Sequence, residues 1–190
     1  MDASQPYFRP RDLPSHGLSP DQLRRLVRQG QVLRVGRGLY RRMQAPARSN
    51  EGLSAIGLRA PRAVVCLLSA LSFHDIGTQD PPQVWIAVES GKWKPTGVGL
   101  PVRVVRFSRK GMTYDVETHE IAGVKVRITG PGRTIVDCFR YRLKIGLDVA
   151  LEALEDALSR QLVTRDALLR TAEVFRQARV MRPYLEAYSR

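Results

Sequence analysis

Cysteine is nearly absent. Cys66 and Cys138 are the only two in 190 residues, too few for a disulfide framework, and both sit in apolar helical patterns that suit buried free thiols in a reducing compartment. Long apolar runs are missing too: no stretch approaches the ~20 residues that cross a bilayer, and the start MDASQPYFRPRD carries no signal-peptide core. The expectation is a cytoplasmic protein with no membrane partner. Histidine numbers three, and His16, His74 and His119 show no zinc-ligand spacing with the cysteines. Ser72, His74 and Asp75 lie too close in sequence to assemble a hydrolytic triad by themselves. Gly91, Gly97 and Gly99 fit neither a dinucleotide nor a phosphate-loop pattern. Catalytic residues, metal and cofactor are therefore all expected to be none.

Acidic residues are scarce relative to basic ones, 18 Asp and Glu against 31 Lys and Arg, for a formal charge of +13. The excess is uneven. Residues 1–48 hold ten Arg, no Lys and three Asp, a balance of +7, whereas the other 142 hold 21 basic and 15 acidic groups, a balance of +6. A dense basic segment in a folded domain points to a polyanionic partner; the plain alternative is a solvated face that resists aggregation. A membrane surface suits it poorly, because the basic helix has only a turn or two of apolar surface.

That helix is LSPDQLRRLVRQG. Ser19 caps it, Pro20 suits the first helical position, Gln22 completes a capping-box spacing and Gly30 ends the run. Leu23, Leu26 and Val27 share one face, which leaves Asp21, Arg24, Arg25 and Arg28 on the other. QVLRVGRGLYRR follows at once as two short β-prone runs, Val32 to Val35 and Leu39 to Arg42, around a three-residue Gly36-Arg37-Gly38 loop. Alternation should turn the strand arginines to one side and leave Leu33, Val35 and Tyr40 to pack inward. Arg9 to Leu13 fits a short preceding helix, with Ser15-His16-Gly17 as the turn. A helix running into a basic hairpin is the order of a winged helix-turn-helix.

Residues 43–50 read as a linker. Beyond it, Pro61 to Ile76 reads as a mostly buried helix, Asp80-Pro81-Pro82 as a break, and VWIAV as a buried strand. Gly91 to Pro101, with Lys92 and Lys94, reads as a mobile loop. VRVVRF, DVETHEI and VKVRIT are strands, the last two joined by a tight turn at Ala122-Gly123. GPGRTIVDCFRYRL starts a helix near Pro131. LDVALEALEDAL follows, with Leu147, Leu151, Leu154 and Leu158 along one face, and a final helix runs from about Arg165 with a bend at Pro183. The fold expected is α+β: a small N-terminal winged helix-turn-helix over 1–48, then over 49–190 a larger domain with a small antiparallel sheet and C-terminal helices.

GLSPDQLRRLVRQGQVLRVGRGLYRR resembles the N-terminal winged-helix signature of the AbiEi-type antitoxins of type IV toxin–antitoxin systems. The order of the body is similar to the same family, with SALSFHDIG before a strand and hairpin strands leading into TGPGRTIVDCFRY and an amphipathic helix. The resemblance implies a repressor of its own operon that counteracts a nucleotidyltransferase-type toxin without a stable complex with it. One departure is that too few residues precede Phe8 for the full first helix common in winged helices.

The residues assigned to operator DNA are Gln22, Arg24, Arg25 and Arg28 on the helix front and Arg34, Arg37, Arg41 and Arg42 on the hairpin. Arg is suited to guanine O6 and N7, and Gln to adenine N6 and N7; the hairpin arginines are suited to phosphates, with Arg37 at the tip placed to reach a minor groove. The plain alternatives are a solvated helix face and a hairpin that only closes the core. Arg133, Thr134 and Asp137 form the distinctive trio of the larger domain, read first as a structural anchor of helix to sheet and second as a site for antitoxin action. A homodimer on an inverted repeat is the natural geometry for such a repressor. Two other functions remain open: a metal-dependent nuclease with a winged-helix targeting domain, and a plain transcriptional regulator with no toxin partner.

Overall fold

The computed structural model describes residues 7–43, 50–92, 95 and 98–188. Residues 44–49 of the expected linker and residues 93, 94, 96 and 97 of the expected mobile loop lie outside the described residues.

The chain enters as a short strand, β1 (Tyr7–Phe8), and then makes two successive 3-10 turns, Pro10–Asp12 and Pro14–His16, where a single short helix was expected. Pro14 explains the difference. It has no N–H to give to the Pro10 carbonyl, so the segment closes through shorter bonds, from Leu13 N–H to Pro10 O and from Gly17 N–H to Pro14 O. Helix α1 (Pro20–Arg28) and the hairpin β2 (Val32–Gly36) and β3 (Leu39–Arg42) complete an antiparallel sheet of order β1-β3-β2. Phe8, Leu13, Leu23 and Val32 are its buried centre, with Leu26, Val27 and Tyr40 packed around them.

Helix α2 (Glu51–Arg59) was not anticipated, because two glycines weaken its helical signal. Gly57 has a packing reason: a Cβ there would lie 2.6 Å from the Lys125 carbonyl. The apolar run from Pro61 divides instead of forming one helix, giving β4 (Val64–Val65) and then α3 (Leu67–Phe73). A strand buried on both faces and a buried helix share the same continuous apolar pattern, which is why the run misleads. Leu67, at φ 51°, makes the corner between them.

Strands β5 (Val84–Glu89), β6 (Val102–Phe107), β7 (Val116–Ile121) and β8 (Val124–Thr129) complete a five-stranded sheet of order β6-β5-β4-β8-β7. The α+β class stands, but this sheet is mixed: β5 with β6 and β4 with β8 are parallel, and the other two pairs are antiparallel. The expected turn joins β7 to β8, with Ala122 at φ 50° and Gly123 at φ 72°. Helix α2 covers one face through Leu53 and Ile56. The other face carries α3, α4 (Pro131–Arg140), α5 (Arg142–Ile145), α6 (Leu147–Ser159), α7 (Arg165–Val174) and α8 (Ala178–Ala187).

Two helical expectations are corrected. On α6 the buried face runs through Val149, Ala150, Ala153, Leu154 and Ala157, while Leu147 is 37% exposed; of the four leucines only Leu154 lies fully within the contact, and Leu151 and Leu158 flank it beside small alanines. The last helix breaks at Phe175 to Gln177, where Arg176 takes φ 57°, and Pro183 lies within α8 without ending it.

The two sheets are tied together. Arg9, held by Asp12 at 3.3 Å, donates from Nη1 to the Leu58 carbonyl of α2 at 2.9 Å. Gly99, at φ 84°, passes so close to β2 that a Cβ would sit 2.4 Å from the Val35 carbonyl.

Candidate nucleic-acid interface

The start of α1 is fixed by its own side chains. Ser19 Oγ accepts from the Gln22 N–H at 3.2 Å, and Gln22 Oε1 accepts from the Ser19 N–H at 2.7 Å. Gln22 is therefore held at the cap, and its amide oxygen is engaged. Along the exposed face, Arg24 pairs with Asp21 at 3.0 Å, both side chains largely in solvent. Arg25 and Arg28 are exposed and form no ion pair among the described residues. They are the cations that α1 presents without an internal partner.

The hairpin differs from simple alternation. Val35 is the extra residue of a register shift between Arg34 and Gly36, and the strands turn at Arg37-Gly38, with Gly38 at φ 66°. Val32 and Leu39 are buried, whereas Leu33 is 51% exposed; Leu33 therefore does not pack inward as expected. Nor do the arginines share a side. Arg34 stands opposite Tyr40 and Arg42 opposite Val32, on the face toward α1, while Arg41 stands opposite Leu33 on the other face. The guanidinium of Arg42 lies 5.8 Å from the Phe8 ring centre, and Arg41 and Arg42 are both half-buried. Arg37 is exposed at the tip.

Between α1, the 3-10 turns and the hairpin lies a groove of about 680 Å³ with Leu13, Leu23, Val27 and Tyr40 in its floor and Arg24, Arg28 and Arg34 on its rim. Arg24, Arg28 and Arg34 are thus brought together across two elements. Sequence reasoning missed Arg59, because α2 itself was not expected; its Nη1 lies 3.9 Å from where a Cβ on Gly38 would be. The body thereby places a further cation beside the hairpin tip.

The trio of the body is internal. Arg133 and Asp137 are fully buried, with Arg133 Nε 2.9 Å from Asp137 Oδ2. Arg133 Nη1 donates to the Tyr114 carbonyl at 2.9 Å, and its guanidinium stacks 3.7 Å from the Phe175 ring centre. Thr134 Oγ1 lies 2.7 Å from Thr129 Oγ1 and 2.8 Å from the Gly130 carbonyl, tying α4 to the end of β8. Burial pushes the Asp137 carboxyl up to about 6, a desolvation that the attraction of Arg133 only partly offsets. Burial likewise raises the thiols of Cys66 and Cys138, both of which are free. His74 Nε2 donates to the Thr129 carbonyl at 2.7 Å and Asp75 pairs with Arg160 at 3.4 Å, so these two side chains have separate partners.

Two family models match. The one described as AbiEi antitoxin C-terminal domain covers residues 63–183, more than half of the chain. The chain belongs to the AbiEi antitoxin family. The second, described as transcriptional regulator, AbiEi antitoxin, covers residues 2–42, the segment that holds α1 and the hairpin. Both descriptions name an antitoxin, and the second names transcriptional regulation as well, so the family is a regulatory one. No curated protein matches it. Among solved structures, the crystal structure of the RV2827C protein from Mycobacterium tuberculosis is similar, with a TM-score of 0.63 at 17% identity over 88% of this chain. This AbiEi chain spans 66% of that one, and at such identity the likeness is one of fold. No helix among the described residues is long and apolar enough to cross a membrane.

Proposed function

We propose that this AbiEi antitoxin represses its own toxin–antitoxin operon by laying α1 in the major groove of operator DNA, and that it counteracts a nucleotidyltransferase-type toxin without holding it in a stable complex. Residues 1–48 serve as the DNA reader and residues 49–190 as the antitoxin body, in the cytoplasm. The observation that carries the reading is the capped helix that presents Arg25 and Arg28 to solvent beside a hairpin tipped by Arg37. Arg25 and Arg28 read base edges; Arg24, Arg34 and Arg37 hold phosphates. Gln22 acts through the cap, and Arg41 and Arg42 brace the hairpin that carries Arg37. Arg133, Thr134 and Asp137 act as an internal anchor, since a side chain with no exposed surface reaches no partner.

Binding to the protein's own upstream region tests the DNA half of this account. Replacing Arg28 by Ala should erode the preference over scrambled DNA, whereas replacing Arg37 should weaken both alike. Toxin protection is tested by co-expression with the neighbouring toxin gene, and co-purification of a stable complex would contradict the proposed mode of neutralisation. A dimer is tested by the footprint: two half-sites related by a dyad are expected.

A further inference from the structure

The body holds a second basic concavity, away from α1. It has a volume of about 610 Å³ and lies where the parallel strands β5 and β6 end and the turn at residues 60–63 leads into β4. Its apolar lining comes from the buried Ala60, Val88 and Met112 with Pro61 exposed at the edge, and its cations are Arg59, Arg62, Lys92, Arg109 and Arg127, with Glu89 the one carboxylate among the described lining residues. Of these cations, Arg62, Lys92 and Arg109 are exposed, and no ion pair to a carboxylate is formed by them among the described residues.

The cavity is built rather than incidental. Arg127 donates from Nη1 to the Arg62 carbonyl at 3.1 Å and from Nη2 to the Met112 carbonyl, so one guanidinium spans two walls and fixes their spacing. Arg106 does the same for a third wall, donating to the carbonyls of Glu89 and Lys92. A volume within the ~300–1,000 Å³ of small-molecule sites, an apolar lining and crowded cations specify a ligand with a flat apolar body and a polyanionic tail. Duplex DNA fits poorly, because its backbone follows an outer surface and does not enter a pocket. Guanidiniums both stack on base planes and bind phosphate in fork geometry.

We propose that this pocket binds a free nucleoside di- or triphosphate, with the base over Pro61, Val88 and Met112 and the phosphates held by Arg62, Lys92 and Arg109. The inference is independent of the operator reading, which rests on α1 and the hairpin.

Titration calorimetry of the full chain with ATP and with GTP, beside adenosine, guanosine and inorganic triphosphate, tests it. At least one nucleotide should saturate a single site, about tenfold or more tighter than inorganic triphosphate or its own nucleoside. Arg62→Ala with Arg109→Ala should weaken it by about a hundredfold, at roughly tenfold for each charge-assisted contact, with the melting temperature unchanged. If that double variant is unstable, Lys92→Ala, at another exposed position, should still cost about tenfold. Arg25→Ala with Arg28→Ala should leave nucleotide affinity unchanged. No saturation by either nucleotide, inorganic triphosphate binding as tightly, or equal loss in the α1 variant would each overturn the proposal. So would tighter binding of a 5′-phosphorylated oligonucleotide, which would assign the pocket to a nucleic-acid end.

Discussion

The buried Arg133–Asp137 pair shows how a single residue can oppose and support a fold at once. Asp137 Oδ2 is paired, but Oδ1 is buried with no hydrogen-bond partner among the described residues. The carboxylate is therefore only half compensated, and its pKa rises to about 6. A carboxyl whose folded pKa lies above its unfolded value contributes stability that is fully present below about pH 4 and is lost as pH rises through about 6. Asp137→Asn should flatten the dependence of melting temperature on pH between about 4 and 6, and an unchanged slope would show that another group carries it. Arg133→Met should be far costlier, by roughly 3–5 kcal/mol near neutral pH in denaturant unfolding, because it leaves a buried carboxylate alone. At Gly99, Ala meets both a φ of 84° and the Val35 carbonyl. Gly99→Ala should cost about 1–3 kcal/mol and loosen the hairpin from the body, read as faster amide exchange in β2.

Elements were legible where short-range chemistry defines them. The cap of α1, the β7–β8 turn and the Pro131 helix start are legible because Ser19-Pro20, Ala122-Gly123 and Gly130-Pro131 act locally. The same locality sets two outcomes. Ser19→Ala should remove the cap for about 1 kcal/mol. Ala122→Asn should add up to about 1 kcal/mol, since the turn needs positive φ where Ala is strained and Asn is tolerated. Elements defined by long-range packing were not legible. Helix α2 depends on a glycine that lets it approach β8, and β4 reads as helix until β5 and β8 flank it. The site was legible in part: the helix front and the hairpin tip are where the residues predicted them, and alternation by itself sets the neighbours Arg41 and Arg42 on opposite faces, but that Arg34 shares its face with Arg42 and not with Arg41 follows from the irregularity at Val35.

For the whole molecule, the charge of +13 is organised by the fold. The α1 face and the hairpin tip gather one set of cations, and the body gathers a second around an apolar pocket. The Arg9–Leu58 bond and the Gly99 contact join the two sheets, so the hairpin is carried against the body at a defined place. The central claim is that the first set reads operator DNA. Equilibrium binding to the native upstream region and to a scrambled duplex, measured across about 50–200 mM salt, tests it most directly. The account predicts that affinity falls steeply with salt on both, while the native site stays tighter by at least about tenfold, a preference that Arg25→Ala with Arg28→Ala removes. Equal affinity for the two duplexes at every salt concentration would contradict it.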